Sequence, residues 1–419
     1  MHHNWWLRHA KFPIFSTISI ATIFLVITLI GNIFNVSLNS IAFRDYRSFH
    51  LQGALNSQQQ HNLHSAHIFP LSIYADVEQV LTHEQSYLIA LVNASELERA
   101  AWIRKKLEEL EIFKMTKQSR QFDNRVRKFF SENCKIKFFM IWIAPARFFR
   151  RRETLALESL FKTHPKGCLI ILSITMDSSF GYLILKPLLN HGFKVLALAP
   201  DLPFLFKDTP AETWFQEMRS GIKNPGEIPL AQNLSNLLRL TILYKYGGVY
   251  LDTDIIALRS FSGLRNSIGA QSVDLVSGHW TRLNNAVLIF DKNHQLLLKF
   301  IEEFASNFDG NKWGYNGPYL VSRVVEKIAG TPGYNYTILP PTAFYLVDWT
   351  RIDRLFVQPK DRNSSRWVEL KLQQLREHAY GLHLWNKQTS RLQIEEGSVV
   401  DRLIGHCCVI CEGMYNRSA

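Results

Sequence analysis

Tyr246-Gly247-Gly248-Val249-Tyr250-Leu251-Asp252-Thr253-Asp254 is a short apolar segment that ends on two carboxylates. Along a strand, positions i and i+2 share a face. Asp252 and Asp254 can therefore converge on one point, with backbones roughly 6–7 Å apart from strand rise. Two carboxylates in an apolar run repel each other and resist burial. A hard divalent cation removes that conflict, and oxygen ligands suit Mn²⁺ or Mg²⁺. Such ions are held by one or two carboxylates, with substrate phosphates filling other positions. The segment thus reads as a site for a metal and a diphosphate, although Asp-X-Asp alone also occurs in solvated turns. Gly247 and Gly248 permit a tight bend before the strand.

Upstream, Pro229 to Tyr246 reads as a buried helix, because Leu230, Leu234, Leu237, Leu238, Leu240, Ile242 and Leu243 cover most of its circumference. Gln232, Ser235, Asn236 and Arg239 form one polar stripe at helical spacing. Such a stripe is either a satisfied structural network or a wall of the donor pocket, where Arg239 meets phosphate or sugar oxygens.

The pattern around these segments predicts an open parallel α/β sheet with right-handed crossovers. Strands are expected at Ile136–Ile143, Leu169–Ile174, Val195–Ala199 and Ala286–Phe290. Helices are expected at Thr154–Phe161, Tyr182–Leu189 and Gln295–Phe308. Ligands bind at the carboxyl ends of strands in such sheets. Asp177, just after a strand, is placed either for the nucleotide or as a helix N-cap. The glycine- and aromatic-rich loop Asp309 to Pro318 is expected on the acceptor side.

Leu234-Ser235-Asn236-Leu237-Leu238-Arg239, followed by Leu243 to Asp254, resembles glycosyltransferase family 32, the DXD sugar-binding proteins and α-1,4-glycosyltransferases, in its plant-type branch. Cys168–Ser173 with Met176-Asp177-Ser178 resembles the family's first nucleotide-binding strand and loop. Ala199–Pro203, Asn284-Asn285-Ala286, Trp313–Pro318 and His383-Leu384-Trp385-Asn386 follow in the family's order. The resemblance covers roughly residues 135–415.

It implies a GT-A type, Rossmann-like open sheet and a retaining hexosyltransferase that uses a divalent metal and a nucleotide-sugar donor, a UDP-sugar above all. The acceptor would be a hydroxyl of a glycan or glycolipid. On the matching residues, Asp252 contacts the ribose and supports the metal, and Asp254 ligates it. Arg239 binds the donor, with Ser235 and Asn236 beside it. Asn284 or Asn285 touches the donor sugar. His383 completes the metal shell, and Trp385 closes over the leaving group. Many relatives carry an aspartate where this chain has Asn236. A catalytically silent carbohydrate-binding partner of another transferase is the alternative function.

With 419 residues, 47% hydrophobic and 20% charged, the chain can bury a sizeable core. Its formal charge of +12 is spread out apart from Arg147, Arg150, Arg151 and Arg152. No nucleic-acid motif accompanies it, so no nucleic-acid partner is expected.

Pro13 to Phe34 is apolar and uncharged, of the length that crosses a bilayer, about 20 residues. No Ala-X-Ala cleavage site follows it, which favours an anchor over a signal peptide. The resemblance then implies a single-pass type II protein of the Golgi membrane. Residues 1–12 form a cytoplasmic tail, 13–34 a transmembrane anchor, 35–130 a lumenal stem and 131–419 the catalytic domain. Ser95 to Lys117 is expected to be an amphipathic helix within the stem, with Leu97, Ala101, Leu107, Leu110 and Phe113 on its apolar face.

Sequons at Asn93, Asn335, Asn363 and Asn416 fit a lumenal body, whereas Asn233 falls in the buried helix and is expected to stay unmodified. The five cysteines suggest a disulfide within the lumenal domain and at least one thiol or intermolecular bond. His406-Cys407-Cys408 with Cys411 fits the usual zinc spacing poorly.

Overall fold

The computed structural model describes residues 94–107 and 111–410. The expected tail, the expected anchor and most of the expected stem lie outside the described residues. Among the described residues no helix is long and apolar enough to cross a membrane.

Two helices come first, α1 (Glu96–Leu107) and α2 (Phe122–Phe130). Both lie in the segment expected as stem, yet Ile103, Leu107, Phe122 and Val126 are buried in the main core. The folded body therefore starts well before residue 131. In α1 the inward stripe is Ala100, Ile103 and Leu107, at spacings of three and four, while Leu97 is 84% exposed. The expected apolar face was thus rotated, because Arg104, Lys105 and Lys106 fix the solvent side in the last turn.

Strand–helix alternation then builds β1 (Ile136–Ile141), α3 (Arg151–Thr163), β2 (Gly167–Leu172), α4 (Ser179–Asn190) and β3 (Lys194–Leu198). These strands pair in parallel, Ile136 opposite Gly167 and Cys168 opposite Lys194. Every residue of β2 is buried, as expected for a strand with helices on both faces. A disulfide joins Cys134, just before β1, to Cys168 in β2.

Three helices follow, α5 (Leu202–Phe206), α6 (Pro210–Ser220) and α7 (Leu230–Tyr246). Then come β4 (Gly248–Leu251), β5 (Ile255–Ala257), β6 (Ser267–Val273), β7 (Trp280–Phe290), α8 (Gln295–Ser306) and α9 (Pro318–Lys327). The chain closes with β8 (Thr337–Leu339), α10 (Arg362–His378), β9 (Gly381–His383), α11 (Asn386–Thr389) and α12 (Val399–Cys407).

The main sheet has seven strands in the order β3-β2-β1-β4-β7-β6-β8. It is mixed rather than parallel throughout. β4 runs parallel to β1 but antiparallel to β7, and β6 and β7 pair as an antiparallel hairpin. The physical reason is the connection: β6 and β7 are joined by a short turn with no crossover helix, and that forces antiparallel pairing. The strand order reverses at β1 and β4, the kind of switch point where such sheets open a ligand crevice.

Gly247 and Gly248 have φ of +64° and +122°, and a Cβ on either would sit 2.6 Å from the backbone of Lys292 or Lys137. The sharp passage from α7 into β4 therefore needs both glycines. One face of the sheet packs on α7, α8, α6 and α1 through Leu234, Leu238, Phe300 and Trp214. The opposite face packs on α3 and α4 through Leu157, Phe161 and Leu188. A third cluster lies beneath α10 and α12 and includes Ile256 of β5 and Leu382 of β9.

Candidate metal and sugar-nucleotide site

β4 delivers the two aspartates at the switch point. The backbone N–H of Asp252 donates to Ala286 O at 2.8 Å, which ends the β4–β7 pairing. The chain then turns into β5, which pairs with β9 so that Ile255 faces His383. That second, two-stranded sheet carries His383 to the DXD segment from about 130 residues further along the chain. One ligand atom each of Asp252, Asp254 and His383 lie within 4.8 Å of one another. Both aspartates thus point to one place, but not by strand alternation: β4 ends at Leu251, and Asp252-Thr253-Asp254 form the turn into β5, closed by the Ile255 N–H donating to Asp252 O at 3.2 Å.

Asp254 is held from two sides. Its Oδ1 is 3.2 Å from His383 Nε2, and its Oδ2 accepts from the Asn386 N–H at 2.8 Å. Burial pushes its carboxyl pKa up, but the His383 charge and these hydrogen bonds bring it below the usual carboxylate value. Burial likewise pushes His383 down, and the Asp254 carboxylate outweighs that and raises it.

Asp252 is shared differently. Arg239 Nη1 lies 3.0 Å from its Oδ1, and the Tyr250 hydroxyl donates to the same oxygen at 2.6 Å. Both contacts fall on Oδ1, and the side chain stays 28% exposed. Burial raises its pKa, and Arg239 opposes that rise.

The donor set fits a divalent cation. Two carboxylates and an imidazole nitrogen are the ligand types that Mn²⁺ and Mg²⁺-type sites use, with Mn²⁺ the better match for nitrogen. His383 Nδ1 is buried and has no hydrogen-bond partner among the described residues. An imidazole whose second nitrogen is unsatisfied can rotate or change tautomer to serve a metal.

Arg239 does not face an open pocket. Its side chain is 3% exposed and spans Asp252, Asn285 O (2.8 Å), Ser235 Oγ (3.1 Å) and Ser235 O (3.2 Å), with its guanidinium over the Tyr250 ring. It positions Asp252 instead of meeting phosphate oxygens directly. Asn236 of the stripe is also partnered, whereas Gln232 is exposed. Asn285 donates to Asn236 Oδ1 at 3.0 Å, and Asn284 donates to Gln271 and accepts from Ala286 N. Gly317 packs so closely on this pair that a Cβ would lie 2.9 Å from Asn236 Oδ1. Asn236 thus meets an amide donor where a carboxylate would also accept.

Trp385 caps this corner. Its backbone is left-handed, φ +54°, an uncommon state for a bulky residue. Its indole stands 4.1 Å from the His383 ring and donates to Val347 O. Tyr345 packs edge-on against His383 from another side. Backbone strain of this kind clusters at functional sites.

Asp177 is drawn elsewhere. Arg125 donates to both of its oxygens at 2.7 and 2.9 Å, and Ala199 N–H to one of them. The N-cap of α4 is Ser178, which accepts from Gly181 N. Asp177 therefore clasps α2 to the end of β3, and it is neither the cap nor free for a nucleotide. The strand beside β4 is β1, not β2, so the loop leaving β1 borders the site. Glu153, after that loop, is a further carboxylate, buried like Asp254. Burial raises its pKa, the Arg150 N–H opposes this and the Asp254 charge adds to it. Its oxygen accepts from the Arg150 N–H at 2.8 Å as part of the capping box of α3, and only the fold brings it near enough to feel Asp254.

Two families match the chain. Residues 150–274 match the glycosyltransferase sugar-binding region containing the DXD motif. Residues 289–415 match the alpha 1,4-glycosyltransferase conserved region. A lactosylceramide 4-alpha-galactosyltransferase of Pongo pygmaeus is 31% identical over 213 residues, 49% of this chain and 88% of that protein. The chain belongs to glycosyltransferase family 32. An uncharacterised Arabidopsis thaliana protein is 30% identical over 303 residues, 70% of this chain and 45% of that protein. The Mus musculus lactosylceramide 4-alpha-galactosyltransferase is 31% identical over 58% of this chain. The chain spans between about half and two thirds of these last two relatives, 45% and 65% of their lengths. A Homo sapiens alpha-1,4-N-acetylglucosaminyltransferase is 27% identical over 48% of this chain and 54% of that protein.

Proposed function

We propose that this family 32 chain is a metal-dependent hexosyltransferase with a GT-A arrangement that retains anomeric configuration. It moves a hexosyl group from a nucleotide-diphosphate sugar, a UDP-sugar, to a hydroxyl of a glycan or glycolipid. Residues 13–34 anchor it as a type II protein of the Golgi membrane, with the body lumenal. Exposed sequons at Asn335 and Asn363 agree with that placement, while Asn233 is buried.

The observation that carries the reading is the convergence of Asp252, Asp254 and His383 at the switch point. These three side chains would hold Mn²⁺ or Mg²⁺. The ion, when bound, supplies a Lewis acid that screens the charge of the departing diphosphate. Arg239 keeps Asp252 ionised and aimed, and the Asn386 N–H does the same for Asp254. Trp385 and Tyr345 exclude water from the His383 side. The bond from the anomeric carbon to the phosphate oxygen breaks as the acceptor oxygen attacks the same face, and the acceptor proton passes to the departing phosphate. Residues with fixed charge lower the cost of that separation because they are already oriented.

A donor panel tests the reading. The full chain is incubated with UDP-galactose, UDP-N-acetylglucosamine or GDP-mannose, with Mn²⁺ or with EDTA. Release of UDP that needs Mn²⁺ and vanishes in Asp254→Asn is expected. Equal release after chelation, or no release from any donor, refutes it.

A further inference from the structure

The loop between α8 and α9 touches the site at two places, and it presents aromatic surface that the fold leaves uncovered. At one end, Gly317 packs on the Asn236–Asn285 pair, with no room for a Cβ. At the other, Lys387 Nζ sits 3.2 Å from the centre of the Trp313 ring. Lys387 follows Asn386, whose N–H binds the metal-site carboxylate Asp254. The loop therefore runs along the rim of the candidate donor site.

Trp313 is 47% exposed and Tyr319 is 41% exposed. Neither ring is left to swing freely. The Arg282 guanidinium lies over Tyr319 at 4.3 Å. Gly314, at φ +75°, abuts the Tyr319 ring at a distance where any Cβ would be only 3.1 Å away. Large apolar rings are normally buried, and exposed ones held in place mark binding surfaces. A rigid aromatic face loses little entropy on binding and suits the C–H face of a pyranose.

Resting on the hexosyltransferase reading above, we infer that Trp313 and Tyr319 form the platform on which the acceptor sugar stacks. Its attacking hydroxyl is then presented towards the Asp252–Asp254 end of β4. The ligand class is a pyranoside with an exposed C–H face. Lys387 and Arg282 are positioning residues that fix the two rings. Gly317 sets the height of the loop above the Asn236–Asn285 floor.

The test uses the full chain with Mn²⁺ and UDP. Lactose and the methyl glycosides of galactose, glucose and N-acetylglucosamine are the probes, read by tryptophan fluorescence. At least one is expected to bind and quench. Trp313→Ala should weaken that binding about tenfold, with Trp313→Phe in between, as loss of one stacked aromatic predicts. In a transfer assay with the sugar that binds, the acceptor KM should rise by a similar factor, while the donor KM moves less than about twofold. Tyr319→Ala should act in the same direction. Binding of none of the four probes overturns the platform, as does equal affinity in wild type and Trp313→Ala. A wild-type chain that releases UDP from no donor instead counts against the hexosyltransferase reading on which the platform rests.

Discussion

The pairing of Arg239 with Asp252 gives the sharpest thermodynamic prediction. Arg239 is 3% exposed and sits 3.0 Å from a carboxylate that keeps 28% of its surface. Breaking a buried pair by removing one partner typically costs about 3–5 kcal/mol, because an uncompensated charge remains. Arg239→Met should therefore destabilise by about 3 kcal/mol, the lower end, since Asp252 retains some solvent. It also strips the donors from Asn285 O and Ser235 Oγ.

Asp252→Asn should cost less, about 1–2 kcal/mol. Arg239 keeps its bonds to Asn285 O and Ser235, and an amide oxygen can still accept from it. The double variant should be more stable than the sum of the single losses, with a coupling of about 1–3 kcal/mol. The assay is urea denaturation of the full chain in EDTA, so that no cation substitutes for the lost charge. The slope of stability against urea should be the same in all four proteins. Single losses that add to within about 0.5 kcal/mol would show the two groups do not interact, and the positioning role of Arg239 would fall.

Other tests follow from particular contacts. His164 is buried and accepts from Phe261 N–H at 2.8 Å through Nε2, and burial holds its pKa below the ordinary histidine value. The unfolded chain binds this proton first as pH falls, so the stabilisation is full above about pH 6.5 and is lost below it, by up to about 1.4 kcal/mol at pH 5.5. His383, raised by Asp254, gains stability over the same fall in pH and shifts both proteins alike, so the check is the difference: from pH 7.5 to 5.5 wild type should lose more stability than His164→Gln, by up to that amount in denaturation curves. Gly317→Ala places a methyl 2.9 Å from Asn236 Oδ1, and overpacking of this kind costs about 1–3 kcal/mol. Thermal unfolding and donor KM should both worsen, and an unchanged pair would remove Gly317 from the site. Gly247→Ala combines φ +64° with a Cβ 2.6 Å from Lys292 N. It should lower stability by at least about 1 kcal/mol, measured by urea denaturation.

Much of the parallel half of the fold was legible because its strands are continuous apolar runs between helical patterns. The helix ending at Tyr246 begins at Leu230, within a residue of the expected Pro229, and the glycine pair ends it as the sequence implied. The antiparallel half was less legible, since β7 runs from Trp280 and its first turns carry polar residues that hide the strand. The start of the body was misplaced because polar composition suggested a stem, whereas four apolar residues at helical spacing suffice to dock α1 and α2. The clustering of Asp252, Asp254 and His383 was legible, the aspartates from their closeness in sequence and His383 from family resemblance, although a turn and not strand alternation brings the two aspartates together. The roles of Arg239 and Asp177 were not. Charge-assisted partners across 13 and 52 residues decide them, and no local pattern reports such partners.

The central claim is that two aspartates and one histidine grip a single cation. Mn²⁺ titration of the full chain in the presence of UDP, followed by electron paramagnetic resonance, tests it most directly. One site is expected in wild type, with affinity at least about tenfold weaker in Asp254→Asn and in His383→Ala, and unaltered in Asp177→Asn. Asp254→Asn binding Mn²⁺ as tightly as wild type would contradict the account.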